Sequence, residues 1–185
     1  MSQGSNGKES GSAKILVGLG NPGDEYAGTY HNVGVAAVFG ISGGGAESFR
    51  RAGGKPFRYF KNDDVIFVIP ETYMNESGPA VKAALDYFGA GVLDLILIHD
   101  DSDIEAGAYK ITIGRGSAGH KGVKSAFEAL GTDEFTRVRI GIRGKSAGSG
   151  EKRKKADEFV LKRILKQDWE KIKETFPKIK LEIFG

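Results

Sequence analysis

Apolar positions along the chain follow three rhythms. Residues 14–20 (KILVGLG) and 93–99 (LDLILIH) are almost continuously apolar. Runs this short, with no polar face, predict strands covered on both sides. Residues 57–61 and 64–69 predict a strand pair, with Asn62-Asp63 near the turn; 109–113 and the alternating RVRIGI of 137–142 predict two more strands. Helical spacing predicts helices over 31–39, 79–88, 121–130, 156–165 and 168–176. Pro79 suits a first helical turn and Gly89 its end. Residues 40–54 are Gly-rich and read as irregular, and 100–107 as a polar loop.

Strands alternating with helices, two of them fully apolar, predict an α/β fold. We expect one three-layer sandwich, its mixed, mostly parallel sheet flanked by helices. Residues 1–13 (MSQGSNGKESGSA) are polar and Gly/Ser-rich, and read as a disordered leader ahead of a single domain over 14–185. Ligands of such sheets sit beyond the carboxyl ends of strands. Three loops are expected to start there, at Asn21, Asp100 and Gly114.

Composition narrows the chemistry. The chain has 185 residues and no cysteine, which excludes disulfides, a thiol nucleophile and Cys-based metal sites. The longest strongly apolar run is far below the roughly 20 residues that cross a bilayer. Net charge is +3. Residues 151–185 hold 11 Lys and Arg against 7 Asp and Glu, whereas the first 150 hold 16 against 17. The positive excess is therefore C-terminal, led by Lys152-Arg153-Lys154-Lys155; it reads either as a solvated face or as a contact for a polyanion such as RNA.

With 28 glycines, Gly motifs arise cheaply. Gly18/Gly20/Gly23 has the dinucleotide spacing, but Pro22 interrupts it and no acid follows at the ribose position. Ser42 sits in G-x-S-x-G, and Ser42, Asp100 and His120 follow a hydrolase triad's order, yet no convincing strand leads to Ser42. Residues 101–105 resemble the start of a calcium loop but lack its later Gly and Glu. Three histidines far apart in sequence show no metal spacing.

What remains is a set of polar residues near strand ends: Asn21 and His31, Asn75, Asp100, and His120. If they converge, a carboxylate on one imidazole nitrogen fixes the tautomer, and the other nitrogen can take a proton from water. Carboxamides can donate to an acyl oxygen as it becomes an oxyanion. That chemistry suits hydrolysis of an activated acyl group by water. The alternative is that each side chain only caps a turn.

GLGNPGDEYAGTYHNVG (18–34) closely resembles the N-terminal signature of the bacterial-type peptidyl-tRNA hydrolases. ETYMNESGPAV (71–81), HDDSDIEAG (99–107) and GSAGHKGVKS (116–125) resemble that family in the same order; FTRVRIGI (135–142) and DEFVL (157–161) match more weakly. The resemblance implies a cytosolic esterase, a monomer without metal or cofactor, that cleaves the ester between peptide and tRNA and does not associate with membranes. It implies that His31 is the general base and that Asp100 orients it. Asn21 then separates peptidyl-tRNA from aminoacyl-tRNA, and Asn75 holds the acyl end. Tyr26, Tyr73 and Met74 line the groove, His120 lies beside the site, and Arg139 matches a basic residue near the tRNA backbone. Four departures stand out: Lys121 replaces an Asn of the tRNA-end subsite, and Tyr30 replaces the usual Arg before the base. Residues 40–54 replace a longer helix, and Arg143-Gly144-Lys145 ends its strand differently. An RNA-binding relative with weak hydrolysis is the alternative that these departures raise.

Overall fold

Both all-apolar segments become interior strands. The computed structural model describes residues 13–62, 64–144 and 159–185. Its strands are β1 (Lys14–Gly18), β2 (Arg50–Arg51), β3 (Phe57–Asn62), β4 (Val65–Pro70), β5 (Leu95–Glu105), β6 (Tyr109–Ile113) and β7 (Thr136–Arg143). They form one sheet in the order β2-β3-β4-β1-β5-β7-β6. The four central strands β4, β1, β5 and β7 run parallel, and antiparallel pairing is confined to the margins.

Successive residues of a strand face opposite sides, so each continuous run feeds two cores. Leu16, Phe67, Ile96, Ile98, Val138 and Ile140 pack against α1 (Val33–Ser42), α4 (Lys166–Lys173) and α5 (Thr175–Phe184), with Val38, Ile172 and Phe176 opposite them. Ile15, Val17, Val68, Leu95 and Leu97 pack on the other face against α2 (Ser77–Phe88) and α3 (Lys121–Leu130), through Val81, Leu85 and Val123. The result is the expected helix–sheet–helix sandwich.

Several elements differ from expectation for identifiable reasons. The polar residues 100–105 continue β5 instead of looping, because β7 supplies a backbone partner: Asp100 lies opposite Ile140 and Asp101 opposite Gly141. Ladder bonds satisfy the main chain whatever the side-chain polarity. The helix expected over 156–165 falls partly outside the described residues, and the described part, 159–165, is not helical. The helix expected over 168–176 is two, α4 and α5, with Pro177 in the first turn of α5, where a missing N–H costs least. The loop from Gly114 starts at the opposite edge of the sheet: β6 is antiparallel, and Ile113 pairs with Thr136, the first residue of β7. It travels back along the sheet to deliver His120 to the carboxyl edge.

Gly34 sets where α1 begins. A Cβ there would lie 2.5 Å from the Ile98 carbonyl oxygen and 2.6 Å from that of Leu19. Only a bare backbone lets the helix start press onto the ends of β1 and β5. His31, in the 3-10 turn Tyr30–Asn32 before α1, is thereby held close to Asp100.

Tyr30 fastens the C-terminal helices to the same place. Its buried hydroxyl donates to Asp168 Oδ2 at 2.6 Å. Burial, then the Asp168 bond, push the phenol up to about 12. A group raised above its unfolded value of about 10 stabilises fully below that pH, and the contribution disappears as pH climbs through the folded value. Unfolding free energy is therefore expected to fall between pH 10 and about 12. Chemical denaturation of the wild type against Tyr30→Phe across that window checks it, since the variant lacks this component.

Candidate active site

Five chain segments distant in sequence meet at the carboxyl edge of the sheet. They enclose a cleft of about 460 Å³ whose walls include Asn21, His31, Met74, Asn75, Asp100, His120 and Lys121. At its floor one carboxylate oxygen serves two imidazoles. His31 Nδ1 lies 2.9 Å and His120 Nε2 3.0 Å from Asp100 Oδ1. Asp100 is buried at 3% exposure.

The electrostatics fix the proton positions. Burial pushes the Asp100 carboxyl up, but His120 foremost, together with His31, outweighs it and holds the group well below the usual carboxylate range. Asp100 is thus an anion, and both ring nitrogens facing it donate. The second nitrogen of His120 is also engaged: Nδ1 accepts from the Val123 N–H at 3.3 Å and caps α3. His120 therefore has no ring nitrogen left for a water in the cleft. His31 Nε2 has no protein partner among the described residues, and with the proton on Nδ1 it carries the one free imidazole lone pair of this pair of rings.

The peptidyl-tRNA hydrolase family model matches residues 15–183. The chain belongs to the peptidyl-tRNA hydrolase family. A peptidyl-tRNA hydrolase of Prochlorococcus marinus is 39% identical over 160 residues, covering 82% of this chain and 75% of the relative. One from Synechococcus sp. is 36% identical over 155 residues, with the same coverage. A solved variant of the peptidyl-tRNA hydrolase from Acinetobacter baumannii, 26% identical, superposes with a TM-score of 0.77 over 93% of this chain and 87% of the other.

The other residues assigned from the family resemblance separate into three groups. Asn21, Met74, Asn75 and Lys121 line the cleft with the two histidines and Asp100. Asn21 Oδ1 accepts the Met74 N–H at 2.8 Å, which joins the first loop to the 3-10 turn Met74–Glu76 and leaves the Asn21 amide N–H₂ without a partner among the described residues. Tyr26 and Tyr73 meet edge to face, ring centroids 6.3 Å apart, beside Met74 and outside the residues that line the cleft. Arg139 also stands outside that lining; its Nε donates to Asp101 Oδ2 at 2.7 Å. The Lys152–Lys155 run lies outside the described residues.

Three residues that carried no assigned role on sequence grounds hold the site in place. Asn32 makes a reciprocal pair with the Asn21 main chain, Oδ1 accepting its N–H and Nδ2 donating to its carbonyl, both at 2.9 Å. A carboxamide directly after the family's base histidine was the available signal. His99 is buried beneath His120, ring centroids 4.7 Å apart, and donates from Nδ1 to the Asp100 carbonyl at 2.7 Å. Burial, reinforced by His120, drives it well below the ordinary imidazole range, so it is neutral. Arg137, also buried, donates to the Gly114 and Arg115 carbonyls at 2.6 and 3.2 Å and anchors the loop that carries His120. No pattern in the chain distinguishes Arg137 from a surface arginine.

Ser42 ends α1, buried, with its hydroxyl donating to the Phe39 carbonyl at 3.1 Å, and it is not among the residues lining the cleft. The triad order was coincidental. Sequence spacing also concealed that His31, Asp100 and His120 place one ligand atom each within 4.8 Å of one another. A metal held there would have to displace the protons on both facing nitrogens, and freeing His120 Nε2 would break the cap on α3.

Proposed function

We propose that this chain hydrolyses peptidyl-tRNA at the ester joining peptide to the terminal ribose, with His31 as the base. The observation that carries the assignment is the free His31 Nε2 beside a fully engaged His120. Nε2 takes a proton from water as the water oxygen attacks the ester carbonyl carbon. The negative charge moves to the carbonyl oxygen, within reach of the carboxamide donors of Asn21 and Asn75. Collapse breaks the bond to the ribose oxygen, and the imidazolium returns its proton there. The products are a free peptide acid and a tRNA with its hydroxyl restored. Asp100 holds the ring and offsets the transient imidazolium charge.

The family resemblance is the ground for reading the chain as a monomer. The substrate class supports a cytoplasmic location, and no helix among the described residues is long and apolar enough to cross a membrane. Lys121, exposed at the cleft mouth, supplies a cation where the family usually has a carboxamide; phosphates of the tRNA end are its natural partners.

The test is an assay on N-acetyl-aminoacyl-tRNA with unblocked aminoacyl-tRNA as control. Selective release of the blocked acyl group is the expected outcome. Protein that shifts tRNA in a gel yet leaves both esters intact would establish the non-hydrolytic alternative.

A further inference from the structure

We infer that Tyr30 and Asp168 are positioning residues, which together hold the strap of residues 159–165 against the base and make it a wall of the cleft. The inference rests on the hydrolase reading and adds residues to it.

The strap lies alongside residues 28–31 as an improvised antiparallel pair. Tyr30 N–H donates to the Lys162 carbonyl at 3.2 Å, His31 N–H to the Val160 carbonyl at 2.8 Å, and Ile164 N–H to the Gly28 carbonyl at 2.9 Å; Thr29 bridges Arg163. The backbone of the base is thus hydrogen-bonded directly to the strap. Val160 and Leu161, at the same level, line the cleft.

Seven residues without helix or sheet of their own need an anchor to stay there. Tyr30 supplies one at each end. Its ring meets Phe159 edge to face, centroids 5.6 Å apart. Its hydroxyl accepts the Leu165 N–H at 3.3 Å and donates to Asp168 Oδ2 at 2.6 Å. Leu165 is the N-cap of α4 and Asp168 its third residue. In an ordinary capping box the third residue's side chain would take the N-cap N–H itself. Here a phenol from 135 residues upstream is inserted between them. The start of α4 and the place of the base are set by one side chain. Asp168, 2% exposed, has no partner on Oδ1 among the described residues, so the phenol is its one side-chain hydrogen-bond partner there.

The experiment compares Tyr30→Phe, Asp168→Leu and Asp168→Asn with the wild type in N-acetyl-aminoacyl-tRNA hydrolysis, with rates normalised to folded protein by circular dichroism. Loss of the phenol or of its acceptor is expected to lower kcat about tenfold, within the penalty that displacement of reacting groups by an ångström or less carries, with KM within about twofold. Asp168→Asn retains an acceptor oxygen and is expected to keep kcat within about threefold. A merely structural role would leave folded Tyr30→Phe at full kcat, or make Asp168→Asn as slow as Asp168→Leu, and either result overturns the inference. Hydrogen exchange supplies an arm independent of activity. The His31, Ile164 and Leu165 amides should lose protection together in Tyr30→Phe; unchanged protection at all three also overturns it. If Tyr30→Phe does not fold, the Asp168 pair carries both readouts. A wild type without hydrolase activity sinks the functional reading while the exchange arm still decides the strap.

Discussion

His31→Ala is expected to lower the rate of ester hydrolysis by about 10²–10⁴-fold with tRNA affinity within about twofold of the wild type. The size follows from the lack of a substitute. A water deprived of His31 Nε2 finds no second imidazole ready: His120 has one nitrogen on Asp100 and the other on the Val123 amide. His99 is buried beneath it, tied by Nδ1 to a carbonyl. The same reasoning makes His120→Ala the milder change. It removes one of two donors to Asp100 and the cap of α3, yet leaves the base and its carboxylate paired. Single-turnover rates for the two variants, with tRNA affinity measured separately by filter binding, decide the matter. If His120→Ala were the slower enzyme, the roles proposed for the two rings would have to be exchanged.

How much of this was legible in the chain depends on the distance over which each feature is determined. The continuous runs of β1 and β5 declare themselves locally, because a strand covered on both faces can hold no polar side chain in its middle. The ends of α2 and α3 were equally local: Gly89 and Gly131 both follow the last helical residue with positive φ. Residues 100–105 misled because their polarity reflects what the side chains do at the site, whereas their strand geometry comes from β7, some forty residues later. The 159–165 strap misled in the opposite direction. Its helical periodicity is real, but Tyr30 and the backbone of residues 28–31 offer it hydrogen bonds that an isolated helix of that length cannot match.

The proposed catalytic pair, His31 and Asp100, was nameable only through the family resemblance. Composition and spacing gave a set of polar residues, while convergence depends on Gly34, Asn32 and Arg137, whose partners there lie 11 or more residues away along the chain. The two-histidine arrangement on one carboxylate oxygen, which separates base from scaffold, is invisible in one dimension.

Asp100→Asn tests the charge apart from the geometry. Both imidazoles reach the same oxygen, and an Asn carbonyl at that point can still accept both N–H bonds. What disappears is the buried negative charge. In the proposed mechanism that charge offsets the imidazolium formed on His31 as water is deprotonated, and it keeps the proton of the resting ring on Nδ1. Without it the ring gains nothing by holding that tautomer, and its charged form sits uncompensated in a site of low polarity. A loss on the order of 10²–10⁴-fold in kcat is expected, by analogy with the triad carboxylate whose replacement by carboxamide fixes the wrong tautomer. Stability should respond with a definite sign. The Asp100 carboxyl lies below its unfolded value of about 3.9, so its contribution is present above that pH and fades as pH falls through the folded value. Wild type should exceed Asp100→Asn in urea midpoint at pH 6, and the gap should hold down to about pH 4 and then narrow toward pH 2. Full hydrolytic rate in Asp100→Asn, with the stability gap intact, would show that the carboxylate builds the site without taking part in the proton transfer.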